Sequence, residues 1–273
     1  LVHLENLHPK GQAGIELGLE RVRQVKEALG QRQHCPVIMV GGTNGKGSTC
    51  AYLESIIDRA GYKVGCYTSP HLLAYNERIR LNGRSVSDAS LCAAFASVEA
   101  ARQGAGDVAL TYFEFGTLAA WEVFAAAGVE AAILEIGLGG RLDAVNVYDA
   151  DVSIVTTIAL DHTEWLGPDR ENIGFEKAGI YRPGRPALCA DASPPQSLLD
   201  HAASIGADLR LIGRDFGFGR DLEDRLQWRW WCRSGGKLLK RTVAYPGLRG
   251  VTQLLNAAVA LAALDALGDR LPV

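Results

Sequence analysis

The chain has 273 residues, enough for one large domain or two small ones. Hydrophobic residues make up 48% and charged residues 22%, which excludes a disordered or fibrous protein. Lysine and arginine total 28 against 31 aspartate and glutamate, a net charge of −3, so no basic excess points to nucleic acid.

No apolar run reaches the roughly 18 residues needed to span a bilayer, so no membrane association is expected. The opening LVHLENLHPK lacks the basic and apolar regions of a secretion signal. Cys35, Cys50, Cys66, Cys92, Cys189 and Cys232 form no C-x-x-C pair. Reduced thiols and a cytoplasmic location are the expectation.

Ile15, Leu19, Val22, Val25 and Leu29 recur at helical spacing and predict an amphipathic helix over about 12–30. A buried strand follows at 36–40, a helix at 46–60 and a second strand at 63–67. Two alanine-rich helices are expected near 87–103 and 111–127. The runs at 131–136 and 152–157 read as buried strands, and 170–181 as a helix closed by Pro183 and Gly184. LQWRWWCR (226–233) and KLLKRTV (237–243), joined by Ser234-Gly235-Gly236, read as a β-hairpin with one packed face. Their aromatic-basic mix also allows a single-strand nucleic-acid platform, the less favoured reading. A last helix spans about 252–267. Alternation of strands and helices predicts an α/β fold around a mostly parallel sheet, with a small hairpin region.

The most informative stretch is Val40-Gly41-Gly42-Thr43-Asn44-Gly45-Lys46-Gly47-Ser48-Thr49. It joins a buried strand to a helix, where loop amides and a helix N-terminus can cradle phosphate. Lys46 would meet the β/γ-phosphates, and the Ser48 or Thr49 hydroxyl would reach Mg²⁺. This is a variant of the usual loop, because Gly47 separates Lys46 from Ser48. Glu135 closes a buried strand just before Ile136-Gly137-Leu138-Gly139-Gly140, where carboxylates face the crevice of a parallel sheet and can hold Mg²⁺. His162 sits in a loop returning to that crevice; its residue type fits either a ligand or a structural hydrogen bond. Lys177 taken singly is an ordinary helix lysine.

Together these motifs resemble the bifunctional bacterial dihydrofolate synthase/folylpolyglutamate synthase family of the Mur ligase superfamily. The resemblance runs through Leu7-His8-Pro9-Lys10, Leu17-Gly18-Leu19-Glu20-Arg21-Val22, the 42–48 loop, Thr68-Ser69-Pro70-His71-Leu72 and Asn76-Glu77-Arg78. It continues through Thr111-Tyr112-Phe113-Glu114-Phe115, the run Glu135 to Asp143, Leu160-Asp161-His162-Thr163 and Glu176-Lys177-Ala178-Gly179-Ile180.

The resemblance implies a Mur-ligase-type ATP-binding domain over 1–273 and ATP-dependent amide ligation through an acyl phosphate. It implies dihydropteroate, tetrahydrofolate-type folates and L-glutamate as substrates, and a monomer. It places ATP on Gly42, Thr43, Asn44, Gly45, Lys46, Gly47, Ser48, Thr49 and Asn256. Two Mg²⁺ ions would be held by Ser48 and Glu135 and by His162. Lys46, His162 and Lys177 would be catalytic, with Lys177 carbamylated. The substrate side would involve Ser69, Pro70, His71, Arg78, Thr111, Phe113 and Asp143. Phe113 would cover a flat pterin face, and Asp143 would accept from pterin N–H groups.

Two departures stand out. Val145 occupies a position where relatives usually carry threonine. The family's second, Rossmann-like domain, which closes over ATP, is not expected within these residues. Two rival readings are a peptidoglycan-precursor ligase acting on UDP-linked substrates and a non-catalytic phosphate-binding module. The first would need a different, UDP-binding leading domain; the second is disfavoured by Lys46, Glu135, His162 and Lys177 standing together.

Overall fold

The computed structural model describes residues 4, 7, 8, 15–221, 224 and 226–273. Helix α1 (Glu20–Ala28) leads into β1 (Val37–Gly41), α2 (Lys46–Arg59) and β2 (Val64–Tyr67). A short pair, β3 (Ile79–Leu81) and β4 (Arg84–Ser85), precedes α3 (Asp88–Gly104) and α4 (Tyr112–Ala127). Next come β5 (Ala131–Glu135), β6 (Val152–Val155), α5 (Thr163–Leu166), α6 (Arg170–Ala178), β7 (Pro186–Cys189), α7 (Gln196–Ser204) and β8 (Asp208–Leu211). The chain closes with β9 (Phe216–Arg220), β10 (Gln227–Ser234), β11 (Lys237–Ala244) and α8 (Gln253–Leu267).

Eight strands form one sheet in the order β4-β3-β2-β5-β1-β6-β7-β8. Neighbours from β2 to β8 pair in parallel, while β3 and β4 finish one edge antiparallel. Every residue of β1 and β5 is buried, as a parallel sheet covered on both faces requires. Val37 and Met39 face a core built largely with α1, α3 and α4; Ile38 and Val40 face Cys50, Leu53 and Ile57 of α2 together with α8. The expected mostly parallel α/β architecture is therefore present.

Helix α8 is apolar nearly all round because it is enclosed nearly all round. It packs between α2, the main sheet and the three-stranded sheet β11-β10-β9. Trp228, Trp230 and Cys232 alternate along β10 to form the packed face, and Trp230 Nε1 donates to Ala258 O at 3.1 Å. Gly235 and Gly236 both take positive φ, which a two-residue hairpin turn needs.

Some element limits differ from the sequence reading. Residues 12–14 of the expected opening helix lie outside the described residues, and 15–18 are not helical. The helix begins at Glu20, after Gly18 with φ of 156°. Ile15 and Leu17 are apolar because they line a cavity, not a helix face. Helix α6 stops at Ala178 rather than 181. Ile180 and Tyr181 are buried in the core beyond it, where the Ser153 hydroxyl donates to Ile180 O.

The topology has one consequence for chemistry. β2, β5, β1 and β6 all end at the same sheet edge. The segments 68–78, 136–143, 42–45 and 156–162 therefore converge there, where open α/β sheets place ligands.

Candidate active site

The glycine loop between β1 and α2 is braced against β6. Thr43 N donates to Thr157 O at 2.6 Å, and the Thr156 hydroxyl lies 3.2 Å from Gly41 O and 2.7 Å from Asn44 O. Lys46 folds back over the loop, its Nζ 3.1 Å from Gly42 O and 3.2 Å from Thr43 O. Gly42 takes φ of 136°, and a Cβ there would stand 1.9 Å from Thr156 Oγ1. Gly42→Ala is therefore expected to shift the loop and cost on the order of 1–3 kcal/mol of stability. Urea unfolding measures this; an unchanged midpoint would show that the loop yields freely.

Asn256 and Gln253, at the start of α8, cover the other side of the loop. A Cβ on Gly45 would meet Asn256 Oδ1 at 2.5 Å. Gln253 Nε2 lies 3.4 Å from Ser48 Oγ, and Gln253 Oε1 accepts from Tyr52 and Asn256. Thr49 Oγ1 is buried and has no hydrogen-bond partner among the described residues.

Glu135 is buried at the end of β5. Its Oε2 accepts from Ser69 N at 3.0 Å, and a Cβ on Gly47 would stand 3.9 Å from its Oε1. Burial raises the pKa of this carboxyl above the usual carboxylate range; the Ser69 amide, Lys46 and Arg80 oppose that shift. A cation beside it would favour the charged form. Among the described residues no three His, Cys, Asp or Glu side chains converge as a metal cage. A hydroxyl plus one carboxylate suits Mg²⁺, which keeps waters and phosphate oxygens as its remaining ligands.

Beside the loop lies a cavity of about 430 Å³. Lys46, Ser69, Pro70, Arg78, Thr111, Phe113, Asp143 and His162 line it. Eight sequence-derived candidates from five separate segments thus share one cavity. His71 is not on its wall; it stands behind, accepting from Arg78 Nε at 2.8 Å. The Arg78 guanidinium also lies over the rings of Tyr75 and Tyr112, at 5.4 and 5.6 Å.

The 68–78 segment is held by Glu77. Its carboxylate accepts from the amides of Leu72, Leu73 and Ala74 at 2.8, 3.0 and 2.7 Å. Those bonds keep it below the usual carboxylate range. Phe113 leans against Gly137, where a Cβ would come within 2.6 Å of Phe113 Cζ. Asp143 accepts from Leu138 N at 2.8 Å and Val145 N at 2.9 Å, which fixes its carboxyl at the cavity floor. Burial pushes its pKa up to about 7, against these amide bonds and the Lys46 charge.

His162 is half-exposed at the cavity edge, with φ of 48° and Nε2 3.7 Å from Asp161 Oδ2. Lys177 is buried and is not on the cavity wall. Burial, together with the Lys46 charge, lowers its pKa to about 8 against the opposing charges of Asp161 and Asp143. At pH 7 about a tenth of such an amine is neutral, against well under a thousandth of an ordinary lysine.

The sequence reading missed part of the wall. Ile15, Glu16, Leu17 and Gly18 form one side, and Tyr112, Leu138 and Leu142 complete others. The available signal was Gly18 inside an apolar run, a glycine that an uninterrupted helix does not need.

No family model matches the chain. The dihydrofolate synthase/folylpolyglutamate synthase of Escherichia coli is 48% identical over 98% of this chain and 60% of its own length. The solved structure of E. coli FolC in complex with DHPP and ADP superposes with a TM-score of 0.88 at 47% identity, covering 97% of this chain and 61% of that one. The Yersinia pestis bifunctional folylpolyglutamate synthase/dihydrofolate synthase complexed with AMPPNP and Mn gives 0.86 at 46%, covering 98% and 62%. This chain thus spans about three fifths of the length of these relatives. With the same fold, near-full coverage of its own residues and close to half of them identical, the chain is similar to about three fifths of the length of these dihydrofolate synthase/folylpolyglutamate synthases.

Proposed function

We propose that the protein is an ATP-dependent ligase that joins L-glutamate to dihydropteroate and extends the glutamate tail of tetrahydrofolate-type folates. The carrying observation is that Lys46 belongs both to the glycine loop and to the wall of the 430 Å³ cavity. A nucleotide on the loop and a flat acid in the cavity would therefore meet at one ammonium group. The named relatives bound to DHPP and ADP, or to AMPPNP and Mn, support this reading.

In the proposed reaction the folate carboxylate attacks the γ-phosphorus of ATP and ADP leaves. The glutamate amine attacks the acyl carbon, loses a proton, and inorganic phosphate departs. Phosphoryl transfer of this kind rests on positioning and charge neutralisation. The loop amides and Lys46 supply fixed positive charge toward the phosphates. Ser48 and Glu135 would hold one Mg²⁺, and His162 with a carbamylated Lys177 would help hold a second. Mg²⁺ bound there supplies charge neutralisation for the phosphates and the incoming carboxylate. Neutral Lys177 adds to carbon dioxide through Nζ and releases a proton, so a buried cation becomes an anionic oxygen donor. Thr111 Oγ1 accepts from Glu114 N as a helix cap, which leaves its proton to donate toward substrate. A cytoplasmic monomer is the proposed working form.

Asp143 gives this reading a pH signature. Accepting pterin N–H groups requires the ionised carboxylate, and that form is lost as pH falls through about 7. Dihydropteroate affinity is therefore expected to weaken towards tenfold per pH unit below 7, with little change above it. Titrations at pH 5.5 to 8.5 would show it, and Asp143→Asn should flatten the profile. A flat profile in the unsubstituted protein would remove Asp143 from pterin recognition. The function itself is tested by ADP release from the complete protein. It should require dihydropteroate and L-glutamate together; release driven by UDP-linked peptide substrates instead would overturn it.

A further inference from the structure

Two cavity walls that are far apart in sequence are tied by one side chain. Arg21, on the first turn of α1, donates from Nε to Glu114 Oε2 at 3.2 Å and from Nη2 to Glu114 Oε1 at 3.0 Å. The same Nη2 lies 2.9 Å from Glu16 O, and Nη1 donates to the Glu16 carboxylate. Glu16 belongs to the 15–18 wall and Glu114 to the α4 wall of the 430 Å³ cavity.

Glu114 is itself fixed. Its Oε2 accepts from Thr111 N at 2.7 Å while Glu114 N donates to Thr111 Oγ1 at 3.2 Å, a reciprocal cap at the start of α4. That cap orients the same first turn that carries Phe113. The 15–18 segment has no helix or strand of its own to hold it. Gly18 N donates to Leu142 O at 3.2 Å, on the neighbouring wall. The Glu114 side chain is 3% exposed and that of Arg21 24%, so the pair is shielded from solvent screening far more than a surface ion pair.

We propose that Arg21 is the positioning residue of the substrate cavity, a bracket that holds the 15–18 wall at a set distance from Phe113 and thereby governs affinity for the flat acid substrate. It touches neither nucleotide loop nor metal-holding residues, so its action is confined to the acid side. A planar guanidinium is needed, because its fork reaches Glu114 with two nitrogens and Glu16 with the third direction; an ammonium group cannot span both walls in that geometry. The inference rests on the ligase reading of the cavity given above.

The test is Arg21→Lys in the complete protein, with Glu16→Gln as a second variant that leaves the Arg21–Glu114 pair whole. Arg21→Lys should lower kcat/KM for dihydropteroate on the order of 10²-fold, through KM, as displaced walls do. KM for ATP and the affinity for ADP measured by calorimetry should stay within about twofold of the unsubstituted protein. Glu16→Gln should give a smaller loss of the same kind, because the backbone bond to Glu16 O remains. Equal losses toward dihydropteroate and ATP would show that Arg21 serves only general stability and would overturn the proposal, as would an unchanged dihydropteroate KM. If the unsubstituted protein shows no dihydropteroate-dependent ADP release, the ligase reading fails first, and that outcome is separate from the other two.

Discussion

Lys177→Ala is expected to be nearly inactive and to recover part of its rate when acetate or formate is added. An exposed helix lysine changed to alanine moves stability by well under about 1 kcal/mol and leaves activity alone. Lys177 is not exposed; it is 4% accessible and close enough to Lys46, Asp161 and Asp143 to feel their charges. Burial has already weakened its hold on the proton, which is the step that carbamylation needs. On the proposed carbamylation, alanine would remove an anionic donor and leave a space that a small carboxylic acid can enter. Turnover with and without formate measures the effect. An alanine variant with normal turnover would remove Lys177 from the chemistry.

Lys46→Ala should cost about 2–4 kcal/mol of transition-state stabilisation, as the loss of a preorganised charge does. The side chain also bonds two loop carbonyls, so a structural effect must be separated from a chemical one. Thermal unfolding without nucleotide should be nearly unchanged, while the stabilisation given by added Mg·ADP should fall sharply. Near-normal turnover in the variant would defeat the loop assignment. A large loss of stability without nucleotide would instead mean that Lys46 mainly holds the loop shut.

The parts of the fold legible in sequence were those with strong local signals. The run at 37–41 is apolar at every position because helices cover both faces, and the glycines after it mark the loop. The Gly235-Gly236 turn announced its hairpin because both positions need positive φ. Strands β3, β4, β7 and β8 were not legible. β3 and β4 meet across Asn82-Gly83, yet each is too short for a period to show. β7, β8 and α7 lie in a mixed stretch between Pro183 and Gly213 where no single period dominates.

The site divides in the same way. The glycines, Lys46 and Glu135 carry types and spacings that point to phosphate and metal chemistry, whereas Asp143 entered only through the family resemblance. The 15–18 wall does not, because apolar residues lining a cavity and apolar residues lining a helix look alike. Arg21 was quoted only as part of a motif; its bracket between Glu16 and Glu114 depends on contacts 5 and 93 residues apart.

The most direct test of the central claim follows one oxygen atom. Dihydropteroate carrying a heavy oxygen isotope in its carboxylate is incubated with ATP, Mg²⁺, L-glutamate and the complete protein, and the phosphate released is analysed by mass. Activation of that carboxylate as an acyl phosphate leaves one of its oxygens on phosphorus when the amine displaces phosphate. The account predicts inorganic phosphate bearing one heavy oxygen, formed in step with the amide product. Unlabelled phosphate, or label found in AMP, would contradict it.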